Sequence, residues 1–357
     1  MKKNLLASTA LVAAGVLAAN GALAASEKIK LAVGGYAERW VGFASFEDGT
    51  TDVNDIDVQE DSEIFFKGST TLDNGLTFGV NVQLEGQTAS DQIDETYIFI
   101  KGDFGEIVLG DENGAAYAMH YGHGSNGAGI DSGDTATWIK SLNGSLLGTP
   151  VPYTFDNDST KIRWISPRMS GFQVGLSYAP ENTQDDDGFP TEGTNGPGAT
   201  KAAAENVMAA GLNFNDKFGS VKVEASTGIQ YVGDSNGTRG DDPWTASGGL
   251  RIHVGGFRIN GAYTHMNDVS GTFDRDIISA GVAYSGGPIG VSLGVVYGEE
   301  DLSGGEEDTQ VAVELGAKYK LGPGVEARGA IYYANREEGT LDDTSGFAVA
   351  GGIKLSF

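Results

Sequence analysis

The stretch Gly351-Gly352-Ile353-Lys354-Leu355-Ser356-Phe357, at the end of the sequence, decides the fold class. Its apolar and polar side chains alternate from 353 to 357, the period-two pattern of a strand with one apolar and one polar face. Soluble domains usually end in polar residues that fray. A final strand of this kind predicts a barrel in which the last strand pairs with the first, because closure removes the exposed sheet edges.

The opposite end of the sequence has the pattern of an export signal. A short basic head containing Lys2 and Lys3 precedes an apolar stretch from Leu5 to Ala19, and Ala22-Leu23-Ala24 fits a small-x-small cleavage site. An uncleaved membrane helix is the alternative, but the apolar stretch is short for a span. We therefore expect residues 1–24 to be a signal peptide and residues 25–357 to form the barrel domain.

The composition favours strands and turns. Glycine occurs 55 times, proline 9 times and cysteine not at all. Glycine at this density destabilises helices and suits tight turns and crowded strands. Without cysteine, the sequence has no disulfide, zinc-thiolate site or thiol nucleophile.

The charge is strongly acidic, with 49 Asp and Glu against 23 Lys and Arg and a formal net charge of −26. No basic stripe is present to displace counterions from a phosphate backbone, so we expect no nucleic-acid partner. An acidic surface attracts cations.

Period-two alternation recurs along the chain and is clearest from Leu76 to Leu84. No uninterrupted apolar run after the signal segment approaches 18 residues, which excludes helical membrane spans. Alternation over about ten residues per strand is typical of a membrane barrel. It predicts sixteen strands, at 28–46, 62–73, 76–87, 94–102, 104–111, 159–167, 171–180, 204–215, 219–233, 243–254, 257–267, 273–285, 288–300, 307–321, 324–337 and 345–357.

The connections alternate between two lengths. Short ones, such as Asp73-Asn74-Gly75 and Gly322-Pro323-Gly324, contain the residues that hairpin turns require. Longer, acidic ones fall between them, including 47–61, 112–158 and 300–306. Short periplasmic turns at one end and long extracellular loops at the other are the arrangement of an outer-membrane β-barrel.

Aromatic residues cluster near the predicted strand ends. Girdles of this kind mark the two membrane interfaces of outer-membrane barrels, although core packing would also explain them. The residues concerned are Tyr178, Tyr231, Tyr263, Tyr284, Tyr297, Tyr319, Tyr333 and Phe357.

The sequence resembles the general diffusion porins of Gram-negative bacteria, especially α-proteobacterial ones, over nearly all of residues 25–357. The most specific segments are 66–79, 104–111 and 166–172. The resemblance implies an all-β, sixteen-stranded transmembrane barrel, a homotrimer, and passive transport of ions and small hydrophilic solutes. It also implies contact with outer-membrane lipid and lipopolysaccharide, and delivery by the barrel-assembly machinery through Phe357 as an assembly signal.

The resemblance further implies that the third long loop, residues 112–158, folds into the pore as a constriction. A segment of this length without a strand pattern is usually functional. It lacks the Pro-Glu-Phe-Gly-Gly tip of enterobacterial porins. Its candidate acidic residues are Glu112, Asp131, Asp134, Asp156 and Asp158.

The family places basic residues on the barrel wall opposite this loop, and strand parity supplies candidates. A charge at the lipid midplane costs about 2–4 kcal/mol, so basic residues in mid-strand are expected to face the lumen. Structural ion pairing is the alternative role. Lys354 follows the same parity near the periplasmic mouth, and Arg39 stays ambiguous beside Glu38. The candidates are Lys67, Lys161, Arg163, Arg251, Arg258 and Arg328.

Other motifs carry less weight. Gly122–Gly127 matches G-x-G-x-x-G without a βαβ context, and His120 and His123 have no third ligand at a metal-site spacing. We expect no cofactor, although Asp91, Asp94 and Glu95, or Asp185–Asp187, offer oxygen ligands for a structural Ca²⁺.

These observations predict a channel and not an enzyme, with a weak preference for cations that comes from the acidic loops. A substrate-selective channel is the alternative, although parity shows no ladder of lumenal aromatics. A surface hydrolase or adhesin on a barrel is the third possibility. A hydrolase would need a Ser-His-Asp set at the loop end, where the four histidines give no support.

Overall fold

The computed structural model describes residues 28–47, 55–86, 92–122, 138–139, 154–184, 204–235, 243–267, 274–302, 305–337, 339 and 343–357. Within these residues, sixteen antiparallel strands form one closed barrel in sequential order, and β1 pairs with β16. The predicted fold class is confirmed. The strands are β1 Ala32–Glu47, β2 Ile56–Thr71, β3 Thr77–Glu85, β4 Ile93–Gly102, β5 Gly105–Asp111, β6 Thr160–Ile165, β7 Phe172–Glu181, β8 Ala204–Phe218, β9 Val221–Ser235, β10 Trp244–Val254, β11 Phe257–Asn267, β12 Arg275–Gly286, β13 Ile289–Leu302, β14 Glu306–Gly322, β15 Val325–Glu337 and β16 Thr344–Ser356.

Closure uses the last residue of the sequence. Tyr36 pairs with Ser356, and the register continues to Glu47 opposite Ser345. The backbone N–H of Phe357 donates to the Gly35 carbonyl at 3.1 Å, and the Gly35 N–H donates to the Phe357 carbonyl at 3.0 Å. The C-terminal strand therefore satisfies the backbone groups that an open sheet would leave unpaired.

The tight turns lie at one end of the barrel. Gly75, Gly255 and Gly324 have φ values of 84°, 56° and 68°, in the left-handed region that glycine enters without penalty. The opposite end carries the longer connections. We refer to these ends as the short-turn end and the loop end.

Two predicted strand starts were wrong by several residues. Strand β1 begins at Ala32 and not at 28, and β2 begins at Ile56 and not at 62. Ile56 and Val58 pair with Phe43 and Val41. Asp57, Glu60 and Asp61 gave the start of β2 the acidic composition of a loop. The predicted long connection at 300–306 is also wrong, because β13 continues to Leu302 and β14 begins at Glu306, and these two residues pair in register.

Side chains alternate between the two faces of the wall. On β9, Gln230 and Val232 are buried inside the barrel, whereas Ile229 and Tyr231 are exposed on the outside. The outer face is apolar and the inner, lumenal face carries polar and small residues, the inverse of a soluble barrel. The outward aromatics Tyr263, Tyr284 and others of the predicted girdles follow this rule.

A short helix, α1, spans Ala115–Ala118 after β5. No helix in the described part of the chain has the length and hydropathy needed to cross a membrane.

Candidate functional site

A row of glycines lines the lumenal wall where α1 lies. Gly175, Gly211 and Gly228 face one another in register on β7, β8 and β9. A Cβ at Gly211 would lie 2.8 Å from the Ala115 carbonyl oxygen, and one at Gly228 would lie 2.9 Å from the Ala116 Cβ. Real Cβ atoms do not approach so closely, so these glycines let the start of the 112–158 loop pack directly against the inner wall.

Wall side chains also hold the backbone of this loop segment. Ser177 accepts a hydrogen bond from the Ala115 N–H at 2.9 Å, and Ser226 accepts one from the Tyr121 N–H at 2.8 Å. The Arg251 Nε donates to the Gly122 carbonyl at 2.5 Å. The segment therefore crosses the inner face of four consecutive strands, from β7 to β10.

A second part of the loop contacts the opposite wall. The Trp138 ring lies against Gly42 on β1, where a Cβ would come within 2.7 Å of the ring atom Cη2. Trp138 and Ile139 are 4% and 2% exposed and belong to an apolar cluster with lumenal alanines. The described parts of the loop thus contact opposite sides of the lumen. The alanines of this cluster are Ala44, Ala312, Ala330, Ala334, Ala348 and Ala350.

Two predicted wall cations, Lys161 and Arg163 on β6, are buried at the base of the loop. The Lys161 Nζ donates to the carbonyls of Asn157 at 2.7 Å and Ser159 at 2.6 Å, and it lies 3.7 Å from Asp156 Oδ2. Arg163 pairs with Glu112. These two cations hold the ends of the loop together, which is the structural ion-pair role that the sequence left open.

The other four predicted cations face the lumen, with Arg251 and Arg258 close together on adjacent strands and Lys67 and Arg328 on other parts of the wall. Lys67 on β2 lies 4.4 Å from the centroid of the Phe65 ring. Arg251 and Arg258 lie on β10 and β11, and Arg328 on β15 bonds Glu38 at 3.1 Å. The six predicted residues therefore do not form one cluster: Lys161 and Arg163 lie on β6, Arg251 and Arg258 on β10 and β11, and Lys67 and Arg328 each by itself on β2 and β15.

Among the predicted acidic residues, Glu112, Asp156 and Asp158 lie together at the loop ends, while Asp131 and Asp134 lie outside the described residues. Burial raises the pKa of Asp158 to about 7, helped by Asp94, while Lys161 opposes the shift. Burial also raises the pKa of Asp156, against the attraction of Lys161. This region holds more negative charge than its two cations neutralise.

Sequence reasoning missed a wider acidic patch on β2, β3 and β4. Glu63 and Glu85 pair in register, and a bulge opposite Leu84 brings Asp94 beside them. The carboxylate oxygens of the three residues lie within 4.8 Å of one another. A bulge re-aims a side chain that strict alternation would turn away, so parity counting cannot find this patch.

The calcium expectation stays a prediction. Asp94 belongs to the acidic patch, and Glu95 accepts a hydrogen bond from Gln83. Asp91 and Asp185–Asp187 lie outside the described residues, as does His123.

Parity also missed a lumenal aromatic pair. Tyr36 on β1 and Phe65 on β2 have ring centroids 6.2 Å apart. The Lys354 Nζ lies 3.8 Å from the centroid of the Tyr36 ring, and the Tyr36 hydroxyl donates to Glu63 at 2.9 Å. The signal was available in the alternation of β2, where Phe65 shares a face with Lys67.

Two of the histidines pair with carboxylates. His253 lies 2.8 Å from Glu224 on β9, and His265 lies 2.9 Å from Asp276 on β12. In the described residues, neither of these imidazoles hydrogen-bonds a serine hydroxyl.

A closed antiparallel barrel with an apolar exterior, a polar lumen and a loop lying inside defines an outer-membrane channel protein. A family profile described as "Gram-negative porin" matches residues 7–339. The chain belongs to this family of outer-membrane channels.

Individual proteins similar to this chain are also outer-membrane proteins. A "Monosaccharide porin" from Halomonas sp. is 24% identical over 287 residues, which cover 76% of this chain and 74% of the relative. OmpT, an outer-membrane protein of Vibrio cholerae in a trimer form, matches with a TM-score of 0.64 at 14% identity, over 93% of this chain and all of that one. An anion-selective porin from Comamonas acidovorans matches with a TM-score of 0.60 at 14% identity, over 92% of this chain and all of that one.

Proposed function

We propose that the protein is a water-filled channel for passive diffusion of ions and small hydrophilic solutes. The observation that carries this proposal is the position of the 112–158 loop, whose described residues contact opposite walls of the lumen at Gly211 and Gly42. A loop held at both walls narrows the lumen without moving the strands. Solutes then pass between the loop and the wall segments that it leaves uncovered.

The charge around the lumen supports a weak preference for cations. The acidic patch formed by Glu63, Glu85 and Asp94 lies on β2–β4, and the buried Asp158 contributes to the same field, because Asp94 is among the charges that raise its pKa. Arg251 and Arg258 lie across the barrel on β10 and β11. Opposite charges on two walls of a narrow constriction with low-dielectric walls create a transverse field that orients polar solutes.

Single-channel recording in a planar bilayer with a salt gradient tests both statements. We expect stepwise conductance from the folded protein and a reversal potential of the sign that indicates cation preference. The variant Asp94→Asn should move the reversal potential towards zero without closing the channel. Folded, heat-modifiable protein that carries no current would contradict the channel proposal.

A specific observation favours a second candidate, a channel selective for sugars. The Tyr36–Phe65 pair presents aromatic surface to the lumen beside Glu63 and Asp61, which hydrogen-bond the Tyr36 hydroxyl. Aromatic rings with adjacent carboxylates suit the apolar face and hydroxyls of a pyranose, and one relative is named as a monosaccharide porin. Liposome-swelling rates for glucose and for a polyol of similar size separate the two candidates. A diffusion pore should admit both solutes at similar rates, whereas a sugar channel should admit glucose faster.

We also propose self-association as a homotrimer through the outer face of β1 and β2. Arg39, which the sequence left ambiguous, faces outward and pairs with Glu60 at 3.0 Å, with both side chains about half exposed. It also donates to Ser62 at 2.8 Å. An arginine facing lipid at mid-strand would cost about 2–4 kcal/mol, so a second subunit covering this polar strip explains its presence.

Export and insertion are part of the same proposal. Residues 1–24 act as a cleavable signal, outside the described residues, and Phe357 is the signal for the barrel-assembly machinery. Lipid and lipopolysaccharide surround the apolar outer face.

A further inference from the structure

Four basic residues form a continuous row across the lumenal wall near the short-turn end. Lys217 pairs with Lys222, Lys222 with His253, and His253 with Arg258, each in direct register on β8, β9, β10 and β11. All four have the parity of the lumenal face. We call this set the basic row.

Like charges in directly opposed positions destabilise a sheet. In a second lumenal row at the same end of the barrel, positive and negative side chains alternate, which avoids this repulsion. Lys320 pairs with Glu326, Glu326 with Lys354, and Lys354 with Glu38, with 3.0 Å between Lys354 Nζ and Glu38 Oε2. The basic row lacks such alternation, which is notable in a chain with a net charge of −26.

One carboxylate partly offsets the basic row. Glu224 lies 2.5 Å from the Lys222 Nζ and 2.8 Å from the His253 Nε2. Glu224 in turn pairs in register with Arg251, so the next row of the wall adds a further cation. Near the short-turn end of β8–β11, the described lumenal side chains therefore carry more positive than negative charge, with Lys217, Lys222, Arg251 and Arg258 against Glu224.

A cavity of about 500 Å³ opens beside the basic row, between the β8–β9 and β10–β11 turns. All four basic residues line it, together with Ser220 and Ser285. Ammonium, imidazole and guanidinium groups beside serine hydroxyls are the donor set that binds oxyanions carrying two or more charges.

We propose that the basic row is a binding site for small multivalent oxyanions, such as phosphate esters and dicarboxylates, at the short-turn mouth of the channel. A binding site goes beyond the passive diffusion of ions and small hydrophilic solutes that the proposed function describes. A bound anion adds negative charge beside the row, as the carboxylates do in the alternating row.

The test is block of single-channel current by inorganic phosphate at about 0.1 M KCl, where charges are screened over about 10 Å. Phosphate added on the short-turn side should reduce the current in a saturable manner, at lower concentration than from the loop side. The double variant Lys222→Gln/Arg258→Gln should raise the half-blocking concentration at least about tenfold, the effect of losing about 1.4 kcal/mol of binding free energy.

The matched control is Lys318→Gln/Lys320→Gln on β14, which removes two cations at the same end of the barrel but outside the basic row. Its half-blocking concentration should stay within about twofold, as expected for exposed charges at a distance. Equal shifts of the half-blocking phosphate concentration in the two double variants would overturn the site. So would a reduction of the current by added KCl, at matched ionic strength, that equals the reduction by phosphate.

A measurement independent of conduction separates this proposal from the channel function. Isothermal titration of phosphate into folded protein in detergent should give saturable binding that the Lys222→Gln/Arg258→Gln variant loses. Binding without conductance would contradict the channel and leave the site standing. Conductance without phosphate binding would overturn the site alone.

Discussion

Gly249 on β10 lies directly against the Tyr121 carbonyl of the 112–158 loop, so closely that a Cβ at position 249 would overlap the oxygen. The neighbouring Gly248 faces outward, where the nearest atom to a Cβ would be 3.6 Å away. These two adjacent glycines therefore differ in their effect on the distance between the loop and the wall. Gly249 sets how near the loop lies to the wall, and Gly248 does not.

The first prediction compares these two glycines. Gly249→Ala should push the loop away from β10 and change the single-channel conductance, while the barrel keeps its heat-modifiable migration on gels. Gly248→Ala is the control and should leave the conductance at the wild-type value. The same conductance in both variants would show that the loop does not limit the pore.

The second prediction concerns pH. Burial and the Asp94 charge raise the pKa of Asp158 to about 7, so this carboxyl gains its negative charge as the pH rises through neutrality. Cation preference should therefore increase between about pH 6 and pH 8. Reversal potentials measured across this range check it, and Asp158→Asn should show a smaller increase.

The same shift has a consequence for stability. An acid with a pKa raised in the folded state contributes stability that is present below its unfolded value and is lost as the pH rises through the folded value. Asp158→Asn should therefore narrow the stability difference between pH 5 and pH 8, measured by the temperature at which the barrel unfolds. No change in this difference would mean that Asp158 is charged throughout the range.

The third prediction tests the outer face of β1 and β2. Arg39→Glu places a carboxylate opposite Glu60 and should lower the temperature at which the oligomer dissociates on semi-native gels, because leaving a buried interface charge without its partner costs about 2–5 kcal/mol. The double variant Arg39→Glu/Glu60→Arg restores the opposite charges and is the control. If the single and double variants dissociate alike, this pair lies outside the interface.

The fourth prediction tests the facing of the wall. Val80→Arg places a charge on the lipid side and should block assembly, since the change costs about 2–4 kcal/mol at the midplane. Gln83→Arg, on the lumenal side beside Glu95, should assemble and reduce cation preference. Assembly is read from heat-modifiable migration, and equal assembly of the two variants would refute the assigned faces.

The sequence by itself determined the strand count, the closure through Phe357 and the face on which each regular strand residue lies. These properties are local, because period-two alternation and glycine turns act over a few residues. The inward facing of Lys67, Arg251, Arg258 and Arg328 follows from the same alternation.

Only the tertiary structure decided which of these residues meet. The bulge at Asp94, the burial of Lys161 and Arg163 beneath the loop, and the outward Arg39–Glu60 pair depend on the register of neighbouring strands and on the path of the 112–158 loop. The basic row is of the same kind, since Lys217, Lys222, His253 and Arg258 come together only when four strands align. Register across a tight turn, as between Lys217 and Lys222, follows from the turn itself, whereas register across a loop-end connection, as between Lys222 and His253, is completed only when the barrel closes.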